Sequence, residues 1–384
     1  MSNEIEIKLM VQPYMAADGN GPKEKIQTPY AESGVDGQSF IAGMNRLLND
    51  SEATVISSCD LDLENSYYDT ADLALYKAGI ALRVRKTGSD IEATIKTRRM
   101  SQGGIHVHPE YNIPLVEKPE VPDLKIFPEH IFTGLDVEAL QKAVFENMAQ
   151  NCRRHIWLVS YRGTEIEISY DRVSYKTADE GRVSGQEVEL ELKKGSARAL
   201  REFAEGLIES VYGAGLAVFR PESLSKMHRA AIYAGISRLD PPAVDDTGIS
   251  GGAGHSSSEQ TEKNLAGLMS VLSRSASILY LGDAGRTSEC AEKTMGIIML
   301  ALRKVIDTGN DADFVYSGRY APMQSLLAGF IRHNPELDVC EPSNESSERI
   351  FVKRAWALDR LLTGADFIRV LLEINFAGLE EESV

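Results

Sequence analysis

The sequence predicts an α+β protein: a closed antiparallel β-barrel with flanking helices, followed by an all-α region. Three observations predict it. Charged and apolar residues alternate without a break in Glu4-Ile5-Glu6-Ile7-Lys8-Leu9. The same alternation returns in several later short runs, each dominated by one sign of charge. Beyond a Gly- and Ser-rich stretch after residue 239, the apolar spacing changes from the strand period to the helical one.

Successive side chains of an extended strand point to opposite faces. Glu4, Glu6 and Lys8 therefore share one face, and Ile5, Ile7 and Leu9 the other. Read alone, the charged face is either solvated or a site for a metal and an anion. Arg83 and Arg85 then alternate with Leu82 and Val84, and Thr94, Lys96 and Arg98 lie opposite Ala93 and Ile95. Glu165 and Glu167 alternate with Ile166 and Ile168, with Asp171 shortly after, and Glu187, Glu189 and Glu191 alternate with Val188, Leu190 and Leu192. Solvated strands intersperse charges so that neighbours pair opposite signs. Whole acidic and whole basic strands instead suit oxygen ligation of hard cations and capture of a polyanion. A closed sheet with its charged faces inward and apolar faces against helices accommodates this only as a hydrated, ligand-binding tunnel, because unpaired buried charge is otherwise too costly.

Between these strands, residues 12–37 are rich in Gly, Pro, Asp and Ser and read as a loop. A helix is expected over Ser39–Leu48, with Phe40, Met44, Leu47 and Leu48 at helical spacing. Short strands fill Ser57–Ile113, with one helical turn near Ala71–Lys77 and a hairpin turning at Thr87-Gly88-Ser89-Asp90. Leu135–Gln150 reads as a helix, Trp157–Leu192 as strands, and Ala197–Tyr212 as an amphipathic helix presenting Leu200, Phe203, Leu207 and Val211. The expected organisation is a tunnel domain at 1–235, a flexible linker at 236–261 and an α-helical domain at 262–384. Leu265, Leu268, Leu272, Ile278 and Leu279 carry the helical period there, as do Phe351, Trp356, Leu358, Leu361 and Leu362.

The net charge of −16 over 384 residues, with a pI near 5.0, argues against general nucleic-acid binding. Cys59, Cys152, Cys290 and Cys340 are far apart, which supports neither a zinc site nor a disulfide framework and fits a reducing compartment. No run reaches the roughly 20 apolar residues of a spanning helix. The first residues hold no apolar run suited to a leader, so a cytoplasmic protein is expected.

The ordered set of motifs resembles the CYTH superfamily, the triphosphate tunnel metalloenzymes. Glu4-Ile5-Glu6-Ile7-Lys8 is similar to that family's E-x-E-x-K hallmark. Tyr67-Tyr68-Asp69-Thr70, Leu82-Arg83-Val84-Arg85 and Thr94-Ile95-Lys96 resemble its following elements. Gly103-Gly104-Ile105-His106 and Pro109-Glu110-Tyr111-Asn112 resemble the inorganic triphosphatase branch, which carries an appended C-terminal domain. Arg154, the Glu165–Asp171 and Glu187–Leu192 strands, and Leu224-Ser225-Lys226 with Arg229 complete the order over residues 1–235.

The resemblance implies metal-dependent attack of water on a linear triphosphate. Glu4, Glu6, Glu189 and Glu191 would hold Mg²⁺ or Mn²⁺, with Asp171 in support. Lys8, Arg83, Arg85, Lys96, Arg154, Lys226 and Arg229 would clamp phosphate oxygens. The catalytic candidates are Glu4, Glu6 and Lys8, the last as the base that tunes the water. The expected partner is a small-molecule triphosphate, with neither nucleic acid nor membrane. Alternatives of the same superfamily are an adenylate cyclase and a nucleoside or thiamine triphosphatase. A non-catalytic polyphosphate-binding scaffold is a reading of a different class.

Several positions stay open. Glu110 reads as a site residue or as a structural hydrogen-bond partner, Glu165 and Glu167 face the tunnel or solvent, and Glu187 belongs to the site or merely extends the row. Which of Arg98 and Arg99 faces inward is undetermined. His106-Val107-His108 has spacing that suits a transition metal, against the plainer expectation of two exposed loop histidines. In the branch resembled, the appended domain is often a histidine-rich helical module called CHAD, associated with polyphosphate. Only His255, within the linker, and His333, beyond it, are found in this part of the chain, so the helical region is expected to serve self-association or partner binding.

Overall fold

The computed structural model describes residues 2–14, 34–97, 100–176 and 180–236, and beyond them 271–278, 281, 293–302, 321–334, 337, 347–376 and 379. Most of the expected loop at 12–37, Arg98, Arg99, most of the expected linker, His255, Leu265, Leu268 and Leu279 lie outside the described residues.

Ten strands form one antiparallel sheet: β1 (Ser2–Gln12), β2 (Thr54–Asp69), β3 (Ile80–Thr87), β4 (Asp90–Thr97), β5 (Met100–Gln102), β6 (Ile105–Leu115), β7 (Phe145–Tyr161), β8 (Thr164–Lys176), β9 (Arg182–Lys194) and β10 (Val218–Pro221). Their order is β10-β1-β9-β8-β7-β2-β3-β4-β6-β5, and a further β1–β6 ladder closes the circle. Eight strands thus make the barrel. β10 continues the edge of β1 beyond β6, pairing with Leu9–Gln12 where β6 pairs with Ser2–Ile7.

The alternation works in the sense expected. Ile5, Ile7 and Leu9 are buried in an apolar layer outside the barrel, against Phe40 and Met44 of α1 (Gly37–Asn49) and Leu200, Phe203, Leu207 and Val211 of α4 (Ala197–Gly213). Each such fully buried aliphatic side chain is worth about 1.5–3 kcal/mol. Asp36 caps α1 by accepting a hydrogen bond from the Ser39 backbone N–H, and Ser196 caps α4 in the same way at Ala199. A second cluster packs Leu82, Val84, Ala93 and Ile95 of the β3–β4 hairpin beneath Leu124, Phe127 and Phe132. That hairpin turns at Gly88, whose φ of +59° is open to glycine at little cost.

Asp69 explains why the segment after β2 folds back. Its carboxylate accepts hydrogen bonds from the backbone N–H groups of Thr70, Leu75 and Tyr76, which holds the single turn α2 (Ala74–Lys77) against the barrel.

One expectation is corrected. The helix read over Leu135–Gln150 ends at α3 (Val137–Ala143), and β7 begins at Phe145. Met148, Gln150 and Cys152 are buried at the strand period, and 145–161 pairs along β2, so sheet pairing overrides the helical propensity of this run.

At one end the barrel interior is apolar. Leu63, Tyr67, Met148, Cys152, Val173 and Tyr175 point inward and receive Met227, Ala230 and Ala231 of α5 (Lys226–Tyr233), which stoppers that end. The described secondary structure beyond residue 271 is helical: 271–278 (α6), 293–302 (α7), α8 (Ala321–His333), α9 (Ser347–Leu362) and α10 (Ala365–Phe376). Leu272, Ile298, Leu358 and Leu371 join the same apolar cluster as α1 and α4. None of the described helices is long and apolar enough to cross a membrane.

Candidate active site

A cavity of about 460 Å³ runs into the barrel. Ten of the sequence-predicted residues line it together: Glu4, Glu6 and Lys8 of β1, Arg83 and Arg85 of β3, Lys96 of β4, Arg154 of β7, Glu189 and Glu191 of β9, and Lys226 at the start of α5. Strand pairing brings the acids together, since Glu6 faces Glu191 and Lys8 faces Glu189 across the β1–β9 ladder.

Two predicted residues do not line the cavity. Asp171 is fully buried behind it, and its two oxygens receive the Arg154 guanidinium at 2.7 and 2.6 Å and the Lys226 ammonium at 2.8 Å. Arg229 bonds Glu187, donates to the Tyr175 hydroxyl at 3.1 Å and to the Leu224 carbonyl at 2.9 Å, and lies 3.4 Å from Glu222. Asp171 thus holds Arg154 and Lys226 from behind, and Arg229 shares Glu187 with Lys226.

At the inner end, positive and negative groups satisfy one another. Lys226 lies 2.8 Å from Glu189 and also bonds Glu187, Arg154 lies 2.9 Å from Glu189, and Lys8 lies 3.0 Å from Glu189 and 3.1 Å from Glu6. Burial pushes the Glu6 carboxyl up, but Lys8 and Lys96 together outweigh it and hold the group down at about 2. Burial works against the charge of Lys8, yet Glu189 and Glu6 hold its ammonium above the ordinary lysine range. Lys8 therefore stays a cation, and the proton-accepting role expected of it does not fit this environment.

Elsewhere in the cavity the charges are not matched. Burial raises the Glu4 carboxyl to about 8, against the opposing Lys96 ammonium at 2.5 Å, with the Glu6 and Glu110 carboxylates adding to the rise. Glu191 is raised by burial as well, despite Lys193 at 2.8 Å. Across the cavity, burial lowers Arg85 to about 10, with Arg83 and Arg154 adding to the effect. Its hydrogen-bond partner among the described residues is the amide oxygen of Asn65 at 2.9 Å, not a carboxylate. Arg83 reaches Thr94 at 3.2 Å and Glu110 at only 3.9 Å, and its Nε is buried with no partner. One wall thus holds carboxyls that burial raises despite adjacent lysines, and the other holds two arginines with no close carboxylate partner among the described residues.

The open positions resolve as follows. Glu110 lines the cavity near Lys96 and Arg83. Glu167 lines it too, whereas Glu165 is not among the lining residues. Glu187 is buried and locks Lys226 and Arg229 from behind. His106 and His108 are corrected from exposed loop histidines to inward positions on β6, where they line the cavity. Burial lowers both imidazoles, His106 to about 3, so both are neutral. Sequence reasoning missed Arg274, which α6 brings to the cavity mouth, where the Ser277 hydroxyl accepts from the Ser223 backbone N–H at 3.2 Å. No motif marks that arginine; only the docking of α6 does.

Residues 43–220 match the CYTH domain. That matched span takes in β2–β9 of the sheet and α4, so the barrel with its charged interior is similar to that domain. Over 207 residues, 54% of this chain, the sequence is 28% identical to an inorganic triphosphatase of Haemophilus influenzae. The chain spans half the length of that relative. Among solved structures, it is similar to an adenylyl cyclase from Hippeastrum described as having a dominant triphosphatase activity, with 16% identity, a TM-score of 0.37, and coverage of 62% of this chain and 97% of that one. An inorganic triphosphatase structure shares 17% identity at a TM-score of 0.20, covering 53% of this chain and 81% of that one.

Proposed function

We propose that the tunnel hydrolyses inorganic triphosphate to pyrophosphate and phosphate with a divalent cation. The single observation that carries this reading is the mismatch of charge across the cavity. Among the described residues Arg83 and Arg85 have no carboxylate closer than 3.9 Å, while burial raises Glu4 and Glu191 even with Lys96 and Lys193 beside them. A polyanion carrying its own cation completes both walls at once, and neither alone does. The 28% identity to an inorganic triphosphatase supports the same reading.

The donor set fits a hard cation. Glu4, Glu6 and Glu191 present carboxylate oxygens on the adjacent strands β1 and β9, and burial raises the carboxyls of Glu4 and Glu191, so an added divalent charge would favour their ionised form. Mg²⁺ or Mn²⁺ bound there polarises phosphoryl oxygens and lowers the pKa of a nearby water. The protein's own contribution is positioning and charge neutralisation, which dominate phosphoryl transfer. Arg83, Arg85 and Lys96 hold one stretch of the chain of phosphates, while Arg154 and Lys226 hold the other. Asp171 and Glu187 keep Arg154 and Lys226 oriented from behind. Glu189, beside Lys8, Arg154 and Lys226, would add a further oxygen donor for the cation. Lys8 remains charged and neutralises developing negative charge.

The test is product analysis with tripolyphosphate, ATP and thiamine triphosphate. Pyrophosphate and phosphate from tripolyphosphate at much the highest kcat/KM supports the reading. Cyclic AMP from ATP as the main product replaces it with the cyclase.

A further inference from the structure

We propose that Glu6, His106 and His108 form a second cation subsite in the tunnel, one that takes a nitrogen-seeking divalent metal such as Zn²⁺. The register of the β1–β6 ladder sets His106 opposite Glu6 and His108 opposite Glu4, all four on the inward face. One ligand atom from each of Glu6, His106 and His108 lies within 4.8 Å of the other two. A Zn²⁺ ion binds such atoms at about 2.0–2.2 Å, so modest side-chain adjustment gathers them.

The second observation is the state of the two rings. His106 Nε2 lies 2.8 Å from the Glu222 carbonyl oxygen, and His108 Nδ1 lies 3.1 Å from the Thr97 carbonyl oxygen. A carbonyl can only accept, so those nitrogens carry the ring protons. The opposite nitrogens, Nδ1 of His106 and Nε2 of His108, are left as lone pairs, and no described residue bonds them. Metal-ligating histidines are anchored in this way, with the second ring N–H on a backbone carbonyl or carboxylate. His106 is only 2% exposed and lines the cavity, so its ring sits at the cavity wall, away from bulk water.

Charge facing the subsite comes from Lys8 and Lys96 as well as from Glu6 and Glu4. Lys8 holds Oε1 of Glu6, and no described residue bonds the other oxygen, which is available to an ion. Two imidazoles and one carboxylate favour Zn²⁺ or Co²⁺, whereas Mg²⁺ prefers an all-oxygen shell. The tunnel would then sort cations by donor chemistry, with carboxylates toward β9 and imidazoles on β6.

The experiment is calorimetric titration of the metal-free full chain with Zn²⁺ and with Mg²⁺, in the absence of any phosphate, alongside ¹⁵N-imidazole NMR of the unmodified protein. The expected result is one Zn²⁺ bound per chain through this subsite, with the Nδ1 resonance of His106 and the Nε2 resonance of His108 displaced by Zn²⁺ and not by Mg²⁺. His106→Gln and His108→Gln should each weaken Zn²⁺ at least tenfold and leave Mg²⁺ affinity within about twofold, whereas His333→Gln changes neither. Absence of Zn²⁺ binding, unmoved resonances of both rings at saturation, or undiminished affinity in the folded double variant overturns the proposal. Because no substrate is used, the result does not depend on whether the tunnel is a triphosphatase.

Discussion

Lys8 Nζ stands 3.0 Å from Glu189 Oε1, and the two residues face each other directly across the β1–β9 ladder. Glu189 also receives Arg154 at 2.9 Å and Lys226 at 2.8 Å, so one carboxylate holds three cations. Acidic β9 therefore meets cations from β1, β7 and α5 at a single residue. Glu189→Gln should lower turnover at least ~100-fold, as expected when a positioned charge is lost from a dry site. Steady-state phosphate release from the folded variant checks this, and retention of more than a tenth of the activity would contradict it.

Arg83 and Arg85 should act mainly in binding. Their replacement by Ala, singly, is expected to raise KM by roughly 10- to 100-fold, since hydrogen bonds to charged groups are worth about 1.5–3 kcal/mol. Arg85 spends its guanidinium on an amide in the ligand-free protein, so its removal should barely alter the melting temperature. Comparing KM with Tm for the two variants separates binding from folding.

Burial raises Glu4 to about 8, whereas Lys8 and Lys96 hold Glu6 at about 2 against its burial, both from an ordinary 4.5. A raised carboxyl stabilises the folded state below its unfolded pKa, and that contribution is lost as pH rises through about 8. The metal-free protein should therefore lose stability between about pH 4.5 and 8 on account of Glu4. The Glu6 contribution has the opposite sign: it is present above 4.5 and lost as pH falls toward 2. At pH 7 a cation ligated by Glu4 must displace its proton. Calorimetry in buffers of different ionisation enthalpy should show close to one proton released per Mg²⁺ at pH 7 and none well above pH 8.

Arg274 ties the C-terminal helices to the tunnel. Arg274→Ala should raise KM about fivefold, the equivalent of roughly 1 kcal/mol for a solvent-accessible charged contact, with kcat little changed. An unchanged KM would leave α6 as a wall without a binding role.

Much of the barrel is legible in the chain because each strand must bury one face and wet the other, which writes a period of two into Glu4–Leu9, Leu82–Arg85 and Glu187–Leu192. The helix limits at Ser39–Leu48 and Ala197–Tyr212 are legible through their apolar spacing and caps. The end of α3 is not, because the run after Ala143 has no Gly or Pro to stop it, and only pairing with β2 makes it a strand. Ten site residues are readable from alternation and motif order, since an inward position on a closed barrel is a site position. What alternation does not tell is depth. Asp171 and Glu187 share the inward parity of the lining residues but sit behind Arg154 and Lys226 near the end stoppered by α5. His106 and His108 were hidden for a related reason: Gly103-Gly104 looks like open loop. In the fold, both glycines turn at positive φ and the Lys8 backbone N–H donates to the Gly104 carbonyl at 2.7 Å, so β6 starts at once beside β1.

The most direct test of the central claim is phosphate release from tripolyphosphate by the full chain with Mg²⁺ or Mn²⁺, before and after excess EDTA. The account predicts rapid release with either cation, abolished by the chelator and restored by re-addition of metal. Release that persists unchanged in EDTA, or none under any condition despite calorimetric binding of tripolyphosphate, would contradict it.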